Sequence, residues 1–148
     1  MSRFLVFLAA ATVTSGVFAQ EQSADLARAA MHFSAKAMDA DSDGMISKDE
    51  FMTYHATVWD QATQSSRGVM TVSAAAAAFA RGGMHVDVSQ MDPDKDGTIS
   101  KDEFMAYEAT HWGLMSKDAS GRIAVGDMVN AMKKHREQAA AAEAAKSD

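Results

Sequence analysis

Two twelve-residue stretches of this chain place aspartates at alternate positions and end on a glutamate. They cover residues 39–50 and 92–103, and their starts are 53 residues apart. Carboxylates in this alternation can bring several oxygens to one point, and hard divalent cations take oxygen ligands. The alternative, an acidic and solvated turn, explains neither the glycine at the sixth position nor the glutamate at the end. Both stretches therefore predict a cation site.

Each position of the stretch has its own chemical task in a calcium loop. Positions 1, 3 and 5 offer carboxylates, position 7 offers a backbone carbonyl, position 9 acts through a water, and position 12 gives both oxygens of a glutamate. Position 6 needs a sharp turn, for which Gly44 and Gly97 are suited because glycine reaches positive φ at low cost. The predicted Ca²⁺ ligands are Asp39, Asp41, Asp43, Met45 (carbonyl), Ser47 and Glu50, and Asp92, Asp94, Asp96, Thr98 (carbonyl), Ser100 and Glu103.

The end of each stretch also carries a helix-start signal. Ser47 with Glu50, and Ser100 with Glu103, have the spacing of a capping box, in which the two residues satisfy each other's backbone amides. Each glutamate is then either a helix cap or a metal ligand, and we expect the ion to decide between the two. Calcium binding is thereby expected to couple to helix order.

The stretches belong to a longer internal duplication. Residues 38–59 and 91–112 are identical at 16 of 22 positions. Helices are predicted to leave the loops over residues 50–59 and 103–112, since Phe51, Tyr54 and Val58 share one face. A helix over residues 23–38 is predicted to enter the first loop, and a shorter one, with Val88 and Met91 on its apolar face, to enter the second.

A repeat of 53 residues is long enough for two helix–loop–helix units, so each strong loop is expected to have a weaker companion. Residues 63–74 and 116–127 keep the glycine at position 6 and an apolar residue at position 8. The first has Arg67 where an acid is needed and is predicted not to bind calcium. The second keeps Asp118 and Asp127, so weak binding stays open there.

The degenerate loops are predicted to act as scaffolds. A single helix–loop–helix cannot cover its own apolar face, and two such units pack face to face with their position-8 residues paired as a short strand. We expect neighbouring loops to pair in this way, Ile46 with Met70 and Ile99 with Ile123.

These motifs, within residues 31–135, resemble those of EF-hand calcium-binding proteins in a calmodulin-like arrangement of four hands, two of them degenerate. The chain is also similar to the small secreted EF-hand proteins of bacteria. The resemblance implies an all-α fold of two EF-hand pairs, each with a two-residue β bridge between its loops, and Ca²⁺ at the twelve ligand positions named above. The loss of ligands in the second and fourth loops departs from a count of four ions.

The segments outside the four loops and their helices are an N-terminal stretch, a glycine pair and a C-terminal tail. The first 19 residues have a positive start, an apolar run too short to span a bilayer, and small residues before a cleavage point after Ala19. They predict export to a periplasm or the medium; the alternative is an N-terminal core helix. Gly82 and Gly83 predict a hinge. The predicted segments are a signal peptide (1–19), EF-hand pair 1 (20–81), EF-hand pair 2 (84–136) and an Ala-rich tail (137–148).

Composition restricts the possible functions. The chain has no cysteine and a net charge of −6, and half of its 20 acidic residues lie in the two strong loops. No basic stripe predicts nucleic-acid binding, no stable membrane anchor is expected, and no nucleophile–base or phosphate-loop motif predicts an enzyme. The histidines show no zinc spacing and are interpreted as structural.

Two functions stay open: a calcium-responsive module that engages a protein through an apolar, Met-rich groove, and a calcium buffer or calcium-stabilised structural protein. The 12 methionines fit the groove, and they also fit ordinary core packing.

Overall fold

The computed structural model describes residues 34–81 and 86–145. The predicted signal peptide, most of the predicted entering helix and the Gly82–Gly83 hinge lie outside these residues. Within them, no helix combines the length and the apolarity needed to cross a bilayer.

Helices dominate the described residues, and the strands are two residues long, which confirms the predicted fold class. In chain order the elements are α1 (Ala35–Met38), β1 (Met45–Ile46), α2 (Lys48–Ala62), a 3₁₀ turn (Gln64–Ser66), β2 (Met70–Thr71), α3 (Val72–Arg81), a second 3₁₀ turn (Val88–Met91), β3 (Thr98–Ile99), α4 (Lys101–Leu114), β4 (Ile123–Ala124) and α5 (Val125–Ala144).

The capping boxes start α2 and α4 as predicted. The Ser47 hydroxyl accepts from the Glu50 amide at 3.2 Å, and the Glu50 carboxylate accepts from the Ser47 amide at 2.8 Å. Ser100 and Glu103 repeat both bonds at 3.3 and 2.8 Å. Each box satisfies amides that have no partner within the helix, so the loop ends and the helix begins at a defined residue.

The strand partners differ from the prediction. β1 pairs with β4, with Ile46 opposite Ile123, and β2 pairs with β3, with Met70 opposite Ile99. The expected pairs of Ile46 with Met70 and of Ile99 with Ile123 were wrong. All four loops carry an apolar residue at position 8, so strands of two residues cannot select a partner by themselves. Each strong loop still pairs with a degenerate one, but with the one from the other repeat.

The contact between α2 and α4 explains this crosswise pairing. Phe51 packs on Trp112 with ring centroids 5.0 Å apart, and Trp59 stacks on Phe104 at 4.9 Å. A residue in the first turn of one helix thus meets a residue in the last turns of the other, and the helices run antiparallel. Between these contacts, His55 faces Glu108. Because each of these six residues stands 53 positions from its counterpart, the two repeats are related by a pseudo-two-fold axis through the middle of the interface.

The core consists of two clusters, each built from both repeats. One cluster centres on α3, β2, β3 and the ends of α2 and α4: Trp59, Ala62, Met70, Ala74, Ala75, Ala78, Val88, Met91, Ile99 and Phe104. The other joins α1, β1, β4 and α5: Ala35, Met38, Ile46, Phe51, Trp112, Ile123 and Met128. Four methionines are buried in these clusters, which agrees with core packing. The predicted segment boundaries remain a prediction.

Two helices differ in extent from the sequence-based expectation. Only a 3₁₀ turn, Val88–Met91, precedes the second strong loop, and it still buries Val88 and Met91. The last helix, α5, continues to Ala144, through most of the predicted Ala-rich tail. The alanines after residue 138 sustain this extension because alanine has the highest helix propensity.

Candidate metal centre

The backbone of each strong loop is bent by two residues with positive φ. Gly44 has φ +84° and Ser42 has φ +60°, and Gly97 and Lys95 repeat the pair at +87° and +61°. A Cβ placed on Gly44 or Gly97 would meet no atom within 4 Å. Glycine is therefore required by the backbone conformation and not by lack of space.

Backbone amides hold the carboxylates of the first loop in place. The two oxygens of Asp39 accept from the amides of Asp43 (3.1 Å) and Gly44 (3.0 Å), and Asp41 Oδ1 also accepts from the Asp43 amide at 3.1 Å. One oxygen each of Asp39, Asp41 and Asp43 lies within 4.8 Å of the other two. Three like charges at this spacing repel one another, and a bound cation would relieve that repulsion.

The second loop repeats this arrangement. Asp92 accepts from the amides of Asp96 (3.2 Å) and Gly97 (3.1 Å), and Asp94 Oδ1 accepts from the Asp96 amide at 3.2 Å. Here the oxygens of Asp92, Asp94 and Glu103 fall within 4.8 Å of one another, so the closing glutamate joins the cluster.

Each closing glutamate caps a helix and also lies close to residues at the start of its loop. Glu50 Oε2 accepts from the amide and hydroxyl of Ser47, both at 2.8 Å, while Oε1 accepts from the Ala40 amide at 2.9 Å. Glu103 caps Ser100 in the same way and also belongs to the carboxylate cluster. For Glu103, capping the helix and lying in the carboxylate cluster are thus compatible in one conformation, whereas Glu50 caps its helix without joining the cluster of the first loop.

Hydrogen bonds and crowding shift the acidities in these loops. The Ser47 amide, then its hydroxyl, lowers the pKa of Glu50, which keeps this carboxyl ionised at neutral pH. The Thr98 hydroxyl does the same for the pKa of Asp96. The Asp96 amide acts to lower the pKa of Asp94, but desolvation and the charges of Asp96 and Glu103 outweigh it, so this pKa is raised. Desolvation first, and then the neighbouring negative charges, disfavour the ionised form of Asp94.

The other predicted ligands have their own local roles. Met45 and Thr98 lie in β1 and β3, and the hydroxyls of Ser47 and Ser100 are engaged by Glu50 and Glu103. Ligation by the Met45 and Thr98 carbonyls, and water-mediated ligation by the two serines, stay predictions. The donor set of carboxylates, hydroxyls and carbonyls is entirely oxygen, which fits a hard cation such as Ca²⁺.

The degenerate loops are organised by hydrogen bonds of their own. Thr63, at position 1 of the second loop, is buried and donates its hydroxyl to the Trp59 carbonyl at 2.8 Å. Positive φ occurs at Arg67 and Gly68, positions 5 and 6, whereas the strong loops have it at positions 4 and 6. In the fourth loop, Asp118 accepts from the amides of Ser120 and Arg122, both at 2.9 Å.

A buried polar cluster at the pseudo-two-fold axis was missed by sequence reasoning. Glu108 Oε2 lies 3.5 Å from His55 Nε2 and 3.6 Å from His111 Nδ1, and it is buried with no hydrogen-bond partner among residues 34–81 and 86–145. His55 Nδ1 donates to the Phe51 carbonyl at 2.8 Å. Burial lowers the pKa of His55, although the Glu108 charge acts in the opposite direction. The internal repeat could have indicated this cluster, because residues 55 and 108 occupy equivalent positions on the inward face of the duplicated helix.

Each of the two strong units consists of a helical segment, a loop that gathers carboxylate oxygens and an exit helix, and the carboxylate cluster could hold a metal ion. A family model described as EF hand matches residues 36–53 and 89–106, which contain the aspartate-rich part of each loop, its closing glutamate and the start of the exit helix. These two matches support an EF-hand protein and suggest calcium binding. Searches among curated proteins and among solved structures found no match. The degenerate loops lie outside the matched segments, so a count of four hands remains a prediction.

Proposed function

We propose that this chain is an exported protein that binds two Ca²⁺, one in loop 39–50 and one in loop 92–103. The observation that carries the proposal is the convergence of three carboxylate oxygens within 4.8 Å in each loop. Amides of each loop's own backbone hold aspartate carboxylates of both clusters, and a carboxylate oxygen has a second lone pair that could bind an ion. Each loop offers four ligand carboxylates, a charge suited to a divalent cation.

The glutamates at position 12 provide the sharpest test. Glu50→Gln and Glu103→Gln each replace a bidentate anion with a neutral amide, so each variant should keep one strong site and the double variant none. Asp49→Asn and Asp102→Asn are matched controls, since they remove the same charge one residue earlier, at a position that is not a predicted ligand. Calorimetric Ca²⁺ titration should show two sites in these controls. Two strong sites in the double glutamate variant would contradict the proposal.

We propose, as the role of this binding, a calcium-responsive module that engages a protein partner. Support comes from Glu50 and Glu103, which cap α2 and α4 and are also predicted ligands, so an ion would act directly on the ends of the two packed helices. A buffer or calcium-stabilised structural protein is the second candidate, favoured by the burial of Met38, Met70 and Met91 in the core. A rise in ANS fluorescence with Ca²⁺ would support the module, and unchanged ANS fluorescence with full binding would support the buffer.

Export rests on the residues before position 20, which have the pattern of a secretory signal. Expression of the full chain in a bacterium, followed by mass spectrometry of the periplasmic and medium fractions, should recover a chain that starts at Gln20. Full-length protein confined to the cytoplasm would contradict export and leave the calcium sites unaffected.

A further inference from the structure

An arginine of the fourth loop contacts a predicted ligand of the first loop. Arg122 Nη1 lies 2.6 Å from Asp43 Oδ2, and 79 residues separate the two in sequence. Asp43 stands at position 5 of loop 39–50. The bond is charge-assisted, and since the side chains are 40% and 42% exposed, solvent screening limits its contribution to stability.

The fourth loop is built to hold this arginine. The Arg122 amide donates to Asp118 Oδ1 at 2.9 Å, and the Asp118 amide donates back to the Arg122 carbonyl at 2.9 Å. Arg122 Nε donates to the Ser120 hydroxyl at 3.2 Å, and that hydroxyl donates to Asp118 at 2.7 Å. Asp118, one of the two acids in this degenerate loop, thus helps to position the guanidinium of Arg122.

The crosswise strand pairing brings Arg122 next to loop 39–50. Arg122 directly precedes β4, whose Ala124 lies opposite Met45, and the Val125 amide donates to the Gly44 carbonyl at 3.0 Å. The middle of loop 39–50, at positions 6 and 7, is thereby fixed against the fourth loop. Sequence reasoning could not find this contact because it paired the loops differently.

The other loop pair has the same backbone arrangement without the arginine. The Val72 amide donates to the Gly97 carbonyl at 3.1 Å, as Val125 does to Gly44. The residue equivalent to Arg122 is Val69, and the residue equivalent to Asp43 is Asp96. Among the described residues, Asp96 forms no ion pair and instead accepts from the Thr98 hydroxyl at 2.6 Å. The two strong loops therefore differ in the charge beside position 5.

We propose that Arg122 regulates the site in loop 39–50 and makes it the weaker of the two calcium sites. The inference rests on the proposed calcium function. The guanidinium neutralises one of four ligand carboxylates and places a positive charge beside the ion. A unit charge on the order of 6 Å from a divalent ion lowers affinity about tenfold in water, and salt screening reduces this to about three- to fourfold. Loop 92–103 then fills first, and loop 39–50 fills at higher Ca²⁺.

The test isolates each site with a glutamate variant. In the Glu103→Gln background, which leaves loop 39–50, Arg122→Gln should raise Ca²⁺ affinity about three- to tenfold by calorimetry. Arg67→Gln removes the same charge from the other degenerate loop and should change this affinity by less than about twofold. In the Glu50→Gln background, Val69→Arg should weaken loop 92–103, which tests the same contact without altering Arg122.

The outcomes separate this inference from the proposed function. Unchanged or lower affinity in Arg122→Gln, with calcium still bound at both sites of the unsubstituted chain, overturns the role of Arg122 alone. A Val69→Arg variant that folds by circular dichroism and leaves loop 92–103 unaffected overturns it as well. Failure of the unsubstituted chain to bind any Ca²⁺ overturns both.

Discussion

The crosswise pairing of the strands predicts that each strong loop is supported by the degenerate loop of the other repeat. Ile123 in the fourth loop lies opposite Ile46 in the first, and both side chains are buried among Phe51, Trp112 and Met128. Ile123→Ala should therefore weaken loop 39–50 and leave loop 92–103 nearly unchanged. Pairing between consecutive loops predicts the reverse.

The size of the effect follows from burial. Ile123 is 5% exposed, so truncation to alanine removes about three buried carbons, worth about 0.8 kcal/mol each, and leaves a cavity. The free energy of unfolding should fall by about 2–4 kcal/mol. If about 1.4 kcal/mol of that loss comes from disordering loop 39–50, the Ca²⁺ affinity of this loop falls about tenfold.

The assay compares Ile123→Ala with Met70→Ala, its counterpart opposite Ile99 in the other sheet. Each substitution is placed in the Glu103→Gln and Glu50→Gln backgrounds, and Ca²⁺ affinity is measured by calorimetry alongside urea unfolding. Ile123→Ala should act on loop 39–50 and Met70→Ala on loop 92–103. A selective loss at loop 92–103 in Ile123→Ala would refute the crosswise arrangement.

Three further predictions follow from the same structure. Gly97→Ala should lower stability by about 1–2 kcal/mol, measured by urea unfolding, since φ +87° strains any side chain although space is free; an unchanged midpoint would argue against this loop geometry. Ser47→Ala should cost about 1 kcal/mol through loss of the capping box, and a cost near zero would contradict its role. Burial lowers the pKa of His55 below its ordinary 6.5; the Glu108 charge opposes this shift and the His111 charge adds to it. In chelator the unfolded state therefore gains the proton first, and stability falls as pH drops through about 6.5. His55→Gln should flatten that slope relative to His111→Gln, and an equal slope in both variants would show that His55 is not the titrating group.

The local chemistry of the strong loops could be predicted from sequence because it depends on neighbours. Twelve consecutive residues contain the aspartates, the glycine and the glutamate, and the capping box spans four. The all-α class was implied by the resemblance of these motifs to those of EF-hand proteins. Position-8 residues such as Ile46 and Met70 did not specify their partners, since every loop has one and a two-residue strand fits any of them.

Contacts between the two repeats could not be predicted from local sequence patterns. His55 and Glu108 are 53 residues apart, and their meeting depends on the antiparallel packing of α2 on α4. Arg122 lies in the fourth loop, whose sequence pattern indicates only a loss of ligands. Its contact with Asp43 depends on the pairing of β1 with β4. Tertiary packing determined both contacts.

The most direct test of the central claim is a Ca²⁺ titration of the chain lacking residues 1–19, by calorimetry with equilibrium dialysis at millimolar Ca²⁺. Two bound ions per chain are expected, one each in the single glutamate variants and none in the double variant. A chain that remains free of metal at millimolar Ca²⁺, while folded by circular dichroism, would contradict the assignment of both loops.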